Sequence, residues 1–372
     1  MRETYPITGT IQVRDAAGGT RTMTTDERTA MTTPGQHMAA EIAEQPAVLA
    51  GQVARRAEFA EIAHVIARRP PRFALLAARG SSDHAALYAK YLIEVLLGLP
   101  AGLVSPSTVT LYGARPDLRD VLLISVSQSG GSPDLLEFTG TARKQGALTV
   151  AVTNTPSSPL NGAAELAVDI GAGAEQAVAA TKTYSATLLA LYLLIDAVRG
   201  GDGSAAAELG TLAEEALQAP VQRAIDRYRF VDRIITTGRG YSYATALESA
   251  LKLAETSYLA ARAYSGADLL HGPVAAIDGD TAVLAVTGTG RGGSAMNDVL
   301  KAVSERGADV LALGSASEEV PAAVRIPVPP VAEELAPVLE VLPVQRLALG
   351  LAIARGGDPD NPRGLRKVTK TR

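Results

Sequence analysis

The chain carries one pattern twice. "FALLAARGSSDHAALYAKYLIEVLLG" (73–98) and then "VLLISVSQSGGSPDLLEFTGTARKQGALTVAVTN" (121–154) form the first copy. The second is "RIITTGRGYSYATALESALKLAETSYLAA" (233–261) and then "AVLAVTGTGRGGSAMNDVLKAVSERGADVLALGS" (282–315). Each half reads strand, Arg-Gly turn, long helix, connector, strand, Gly-rich turn, helix, strand. A repeated supersecondary unit restricts the fold more tightly than composition does. Parallel strands need long crossovers, usually helical, and this alternation supplies them. The expectation is α/β: two doubly wound parallel-sheet domains in tandem, each a three-layer αβα sandwich. Ligands then belong at the carboxyl edges of the strands.

The expected division is an N-terminal extension over 1–36, a first domain over 37–205, a second over 206–356 and a C-terminal tail over 357–372. Residues 1–36 are rich in Thr, Arg, Asp and Gly, and suggest a poorly ordered or surface-lying segment. Helical patterning starts at "HMAAEIAEQPAVLAGQV", and a linker near "RGGDGSAAAELG" (199–210) separates the halves. Hydrophobic residues make up 47% of the 372 and aromatics only 4%, a mix suited to parallel sheets under helices. The net charge of −4 argues against a nucleic-acid partner. The run "ATLLALYLLIDAV" (186–198) is short and contains Asp196, so it suggests a buried helix and not a membrane span. With no secretory leader visible, the expected location is the cytoplasm. The absence of cysteine removes disulfides, thiolate metal sites and any cysteine nucleophile.

The stretch "ISVSQSGGSPDLLE" (124–137) then stands out. A buried strand over 121–125 stops, Ser132 is placed to cap a helix, Pro133 suits its first turn, and Gly146 ends it. Ser127, Gln128, Ser129, Gly130, Gly131 and Ser132 therefore sit at a helix N-terminus, where free amides favour an anion. Two readings are open: a cradle for a phosphate monoester, or a Ser/Gly turn with a good cap. Two further hydroxyl-rich turns in the same half favour the cradle. One is "ARGSSDHAA" with Gly80, Ser81 and Ser82; the other is "AVAATKTYS" with Thr181 and Thr183.

Competing motifs are weaker. No Walker-type phosphate loop occurs. "GTGRGG" matches a dinucleotide-type pattern through Gly288, Gly290 and Gly293, but Asp309 precedes the next strand where an acidic residue should follow it. It reads as a structural helix turn, the worn counterpart of the serine loop. "DPDNP" (358–362) reads as a turn and not a metal site. His84 reads as a surface histidine at a helix start, and His37 and His64 have no supporting context. In "YATALESALKLAETSYLAA" (243–261), Glu248, Lys252 and Glu255 fall on one helical face. That face is either a solvated salt-bridge ladder or a buried acid–base group. His271, in the punctuated loop "YSGADLLHGPVAAI", is open between structural and functional roles.

Taken together, "SVSQSGGSPD", "ALESALKLAETSY", "LLHGPVA" and "DPDNPRGLRKVT" resemble the SIS (sugar isomerase) family over roughly residues 38–372. The likeness is to the isomerase half of glucosamine-6-phosphate synthase and to stand-alone deaminase-like relatives. The resemblance implies that Ser127, Gln128, Ser129 and Ser132, with Gly80, Ser81, Ser82 and Thr181, bind a sugar phosphate. It implies that Glu255 moves a proton between C1 and C2 of the open-chain sugar, with Lys252 and Glu248 orienting it. It assigns ring opening to His271, contributed across a homodimer interface, and closure over the sugar to Lys367, which in the synthase can form a Schiff base. No metal and no cofactor are implied. Gly131 stands where the synthase has an acidic residue, and Ala180 where it has serine; both alter the walls near the ligand.

The synthase carries a glutamine-hydrolysing domain with a cysteine nucleophile, and this sequence offers neither the cysteine nor the length for that domain. The expectation is therefore breakdown of a hexosamine 6-phosphate: conversion of glucosamine 6-phosphate to fructose 6-phosphate and ammonia. Alternatives are dehydration of N-acetylglucosamine 6-phosphate, deglycation of a fructosamine 6-phosphate, or a non-catalytic sensor of sugar phosphates.

Overall fold

The computed structural model describes residues 12–14, 20–22 and 33–367. Near the N-terminus a short antiparallel ribbon pairs β1 (Gln12–Arg14) with β2 (Thr20–Thr22). The expected character of the 1–36 extension, and the tail beyond residue 367, otherwise lie outside the described residues.

Two five-stranded sheets follow. The first contains β3 (Phe73–Ala77), β4 (Ala101–Leu103), β5 (Val121–Val126), β6 (Leu148–Thr153) and β7 (Leu166–Asp169), in the order β4-β3-β5-β6-β7. The second contains β8 (Arg233–Gly238), β9 (Ala260–Ser265), β10 (Ala282–Val286), β11 (Asp309–Gly314) and β12 (Val324–Pro327), in the order β12-β11-β10-β8-β9. Every pairing in both sheets is parallel. Counted along the chain, each sheet runs 2-1-3-4-5, so the sequence repeat is a repeat of topology. The central strands β5 and β6 are buried along their whole length, with Ser125, Thr149 and Thr153 enclosed among otherwise apolar residues.

In this order the chain leaves the first strand of each sheet in one direction and the third strand in the other. The two loops part, and a crevice opens between them at the carboxyl edge. In the first domain it lies between the loops after β3 and β5; in the second, between those after β8 and β10.

The halves share one apolar core. The helix Lys182–Val198, the one expected to be buried, is enclosed from Lys182 to Asp196. It packs against helices Gln45–Ala54, Ala57–Arg68 and Ser81–Leu96 of the first half, and against Ala336–Ala354 of the second. Asp196 accepts from Arg199 and from the Gly203 amide, which satisfies its carboxylate at the rim. A second stretch, Glu333–Ala354, is long and apolar enough to cross a membrane by composition, but most of it is buried within the fold. It packs on helix Tyr243–Ser257. Between the halves, residues 209–216 form a helix that packs on Gln45–Ala54.

The two ends of the described chain are tied together. Asp358 accepts from the Gly35 amide, and Asp360 from the amides of His37 and Met38 at the start of helix Gln36–Ala43. The turn expected at "DPDNP" thus supplies the anionic cap for helix Gln36–Ala43, occupying amides that would otherwise have no partner.

Candidate functional site

The crevice of the first domain is an open cavity of about 360 Å³. One wall is the turn after β3, where Gly80, Ser81 and Ser82 enter helix Ser81–Leu96. Gly80 adopts φ +56°, a left-handed conformation that favours glycine. The floor is the loop after β5, with Ser127, Gln128, Ser129 and Ser132 all reaching the cavity. Ser132 occupies the N-cap position before Pro133, as expected, but its side chain makes no capping bond. Ser127 and Ser129 accept from the amides of Gly130 and Gly131, at 3.2 and 3.3 Å, and so shape the loop. Gly130 has φ +60°, and a Cβ there would fall 2.2 Å from Ser158 Oγ. The loop can fold this way only around a glycine.

Beside this loop stands an ion pair that sequence reasoning missed. Asp134 lies in the first turn of helix Pro133–Lys144 and is 3% exposed. A carboxylate there suits the helix dipole but would repel a phosphate. Arg79, which lines the cavity, pairs with it at 2.8 Å and cancels that charge.

The second domain supplies the opposite wall through helix Tyr243–Ser257. Glu248, Lys252 and Glu255 do form one face, and the face is buried: Glu248 and Lys252 are fully enclosed, while Glu255 is 24% exposed and lines the cavity. Lys252 lies between the two carboxylates, 3.4 Å from Glu248 and donating to Glu255. Burial alone would lower its pKa, but Glu248 and Glu255 carry it above the ordinary lysine value. Burial likewise works to raise the Glu248 carboxyl, and Lys252 with His84 holds it below the usual carboxylate range. Glu248 also accepts from Ser81 Oγ at 2.9 Å and from His84 Nδ1 at 2.8 Å, both across the domain boundary. His84 is therefore not the surface histidine that the sequence suggests. Its partner is 164 residues away, a contact no local pattern announces.

The tail closes the third side. After helix Ala336–Ala354 it passes Tyr258, whose hydroxyl accepts from the Arg363 amide and whose ring lies under the Arg363 guanidinium. Lys367 then reaches the cavity and donates to Glu175 at 2.7 Å and to the Ala177 carbonyl. Glu175 is a second residue missed from sequence. It gathers the amides and hydroxyls of both Thr181 and Thr183 in addition to Lys367. Burial favours its neutral form, but Lys367 and these donors outweigh it and lower its pKa. Thr181 is fully buried and does not line the cavity; its donors serve Glu175. His271 is exposed at the end of helix Gly266–Leu270 and is also absent from the cavity wall.

The equivalent crevice in the second domain is filled from within. Glu333 accepts from the amides of Arg291 and Gly292, and Glu340 from the hydroxyls of Ser242 and Thr245. A Cβ on Gly290 would lie 2.5 Å from Glu333 Cδ, so the "GTGRGG" turn is shaped around the chain's own carboxylate. This is the structural turn that the sequence suggests, with an internal anion in place of a ligand.

Comparison with known proteins agrees with the two-domain fold. The SIS domain profile matches residues 70–197 and 228–355, one match per sheet. The glutamine–fructose-6-phosphate aminotransferase (isomerizing) of Gloeobacter violaceus is 35% identical over 307 residues, covering 77% of this chain and 50% of that protein. The chain thus spans about half the length of the curated relatives it matches. A proposed phosphosugar isomerase from Silicibacter pomeroyi DSS-3 superposes with a TM-score of 0.81 at 34% identity, covering 87% of this chain and 99% of that one. The C-terminal domain of glucosamine-fructose-6-phosphate aminotransferase from Francisella tularensis gives 0.78 at 26% identity, covering 87% and 97%.

Proposed function

The chain belongs to the SIS domain family, and from that premise we propose that it is an enzyme of amino-sugar phosphate metabolism, an isomerising deaminase of glucosamine 6-phosphate. One observation carries this reading: hydroxyls and amides suited to a phosphate, and a carboxylate suited to a proton, face each other across a single cavity at the β3/β5 crevice. The aminotransferase and phosphosugar isomerase names of the relatives point to the same substrate class.

In this mechanism the phosphate sits on the serine loop, with Ser82 and Ser132 as neutral donors and the Arg79–Asp134 pair keeping the floor electrically balanced. Ring opening frees the C1 aldehyde. The Glu255 carboxylate removes the C2 proton, and the electron pair moves toward the carbonyl to give the enol of an amino sugar. Return of the proton to C1 yields a 2-imino ketose, which water hydrolyses to fructose 6-phosphate and ammonia. Glu248 and Lys252 orient Glu255, and Lys367 stands beside the reacting end as an ammonium group able to steady developing negative charge. His271 enters from a second copy of the chain, so this reading requires a homodimer. The deaminating direction is favoured chemically, because free ammonia is mostly protonated at neutral pH and is a poor nucleophile in that form.

The test is incubation of pure protein with glucosamine 6-phosphate, with ammonia and fructose 6-phosphate measured separately. Equal release of both, abolished by Glu255→Gln, supports the reading. Absence of both products, or a Glu255→Gln variant as active as the wild type, sinks it.

A further inference from the structure

Glu248 is a buried carboxylate that receives donors from both domains. Lys252 approaches from its own helix, while Ser81 and His84 approach from the first turn of the facing helix Ser81–Leu96. Ser81 and Lys252 both meet Oε1, and His84 alone meets Oε2. An ionised carboxylate has only lone pairs to offer, so His84 must carry a proton on Nδ1 to make this bond. The imidazole is 17% exposed and the carboxylate has no access to water.

We propose that His84 is a positioning residue: by donating to Glu248 across the domain boundary, it holds the Glu248–Lys252–Glu255 chain so that Glu255 stands at the cavity wall. The inference rests on the reading of Glu255 as the base and extends it. Charges alternate along the chain, from carboxylate to ammonium to carboxylate. Lys252 is shared, and how closely it sits to Glu255 depends on how fully Glu248 is satisfied elsewhere. With His84 in place, one oxygen of Glu248 has its own donor. Without it, the whole charge of Glu248 draws on Lys252, and Glu255 loses part of its partner. Glu255 would then be held less firmly at the cavity wall and would meet the C2 proton less often.

The other groups around the pair are few. Asp83 and Arg79 lie on the His84 side, Asp83 being half-buried with its carboxyl raised by burial and eased by His84 and Arg79. Tyr184, from helix Lys182–Val198, is buried near Glu248 and stays neutral, its phenol pushed far up by burial and by that carboxylate. None of them donates to Glu248 Oε2.

The experiment compares His84→Ala with His84→Asn, whose amide nitrogen can take the place of Nδ1. His84→Ala should lower kcat by roughly ten- to a hundredfold, the scale of a lost bond to a buried charge, with KM little changed. His84→Asn should keep most of kcat. On substrate-free protein labelled with carbon-13 in glutamate, the Glu255 carboxyl resonance at neutral pH should move in His84→Ala and keep its wild-type position in His84→Asn. This readout needs no turnover, so it tests His84 even if glucosamine 6-phosphate is not a substrate. An unmoved Glu255 carboxyl resonance in His84→Ala overturns the proposal. So does a His84→Asn variant with the same loss of kcat as His84→Ala.

Discussion

Replacing Glu340 with glutamine should stabilise the protein at neutral and alkaline pH. Glu340 lies on helix Ala336–Ala354, is 1% exposed, and among the described residues has only the hydroxyls of Ser242 and Thr245 as donors. Burial raises its carboxyl from 4.5 to about 7; the two hydroxyls work against this, and Glu333 adds to it. The sign follows from proton counting. Between 4.5 and about 7 the folded chain holds a proton at Glu340 that the unfolded chain has lost. Stability contributed here therefore falls as pH rises through that window. At ~1.4 kcal/mol per pKa unit, the full cost above pH 7 is about 3 kcal/mol. Glutamine keeps the shape without the charge, accepting from one hydroxyl and donating to the other. Urea denaturation followed by circular dichroism at pH 5, 6, 7 and 8 measures this directly. The Glu340→Gln variant should match the wild type near pH 5 and exceed it by an increasing margin toward pH 8. A difference that stays constant with pH, or a variant less stable at pH 8, would refute the reasoning and mean that Glu340 is ionised without strain.

Three further outcomes are expected. Gly130→Ala should lose about 1–3 kcal/mol in thermal or urea unfolding and fail to bind inorganic phosphate, because the φ of +60° and the Ser158 contact both reject a Cβ. Ser132→Ala should raise KM for the sugar phosphate by about tenfold while kcat holds, since its hydroxyl lines the cavity without an internal capping bond. Lys367→Met should cost about 2 kcal/mol at pH 7, because it strips the ammonium from buried Glu175. Glu175 is lowered below 4.5 in the fold, so its contribution is complete above that value and fades as pH falls through the lowered pKa. The wild-type and Lys367→Met urea midpoints should converge in acid.

The parallel sheets were legible because β5 and β6 are buried on both faces and are mostly apolar, interrupted only by Ser125, Thr149 and Thr153. The serine loop was legible because an N-cap, a proline and glycines all act within six residues. What sequence could not show were pairings set by the crossing of two domains. His84 meets Glu248 only after the first helix of one sheet is laid against the first helix of the other. Glu175 lies in a stretch of small residues with no periodicity, and only Lys367, 192 positions on, reveals its charge partner. Glu333 looks like any acidic residue ahead of a helix, yet it fills the "GTGRGG" turn. Asp360 fits a turn in sequence, and its second role as a helix cap depends on the chain ends meeting.

The most direct test of the account follows the hydrogen at C2. Glucosamine 6-phosphate carrying deuterium at C2 is incubated with the enzyme in ordinary water and examined by NMR. The account predicts that deuterium leaves C2 and appears at C1 of the ketose or in solvent, and that Glu255→Gln halts the loss. Deuterium retained at C2 by the wild type, or lost equally fast in Glu255→Gln, would contradict it.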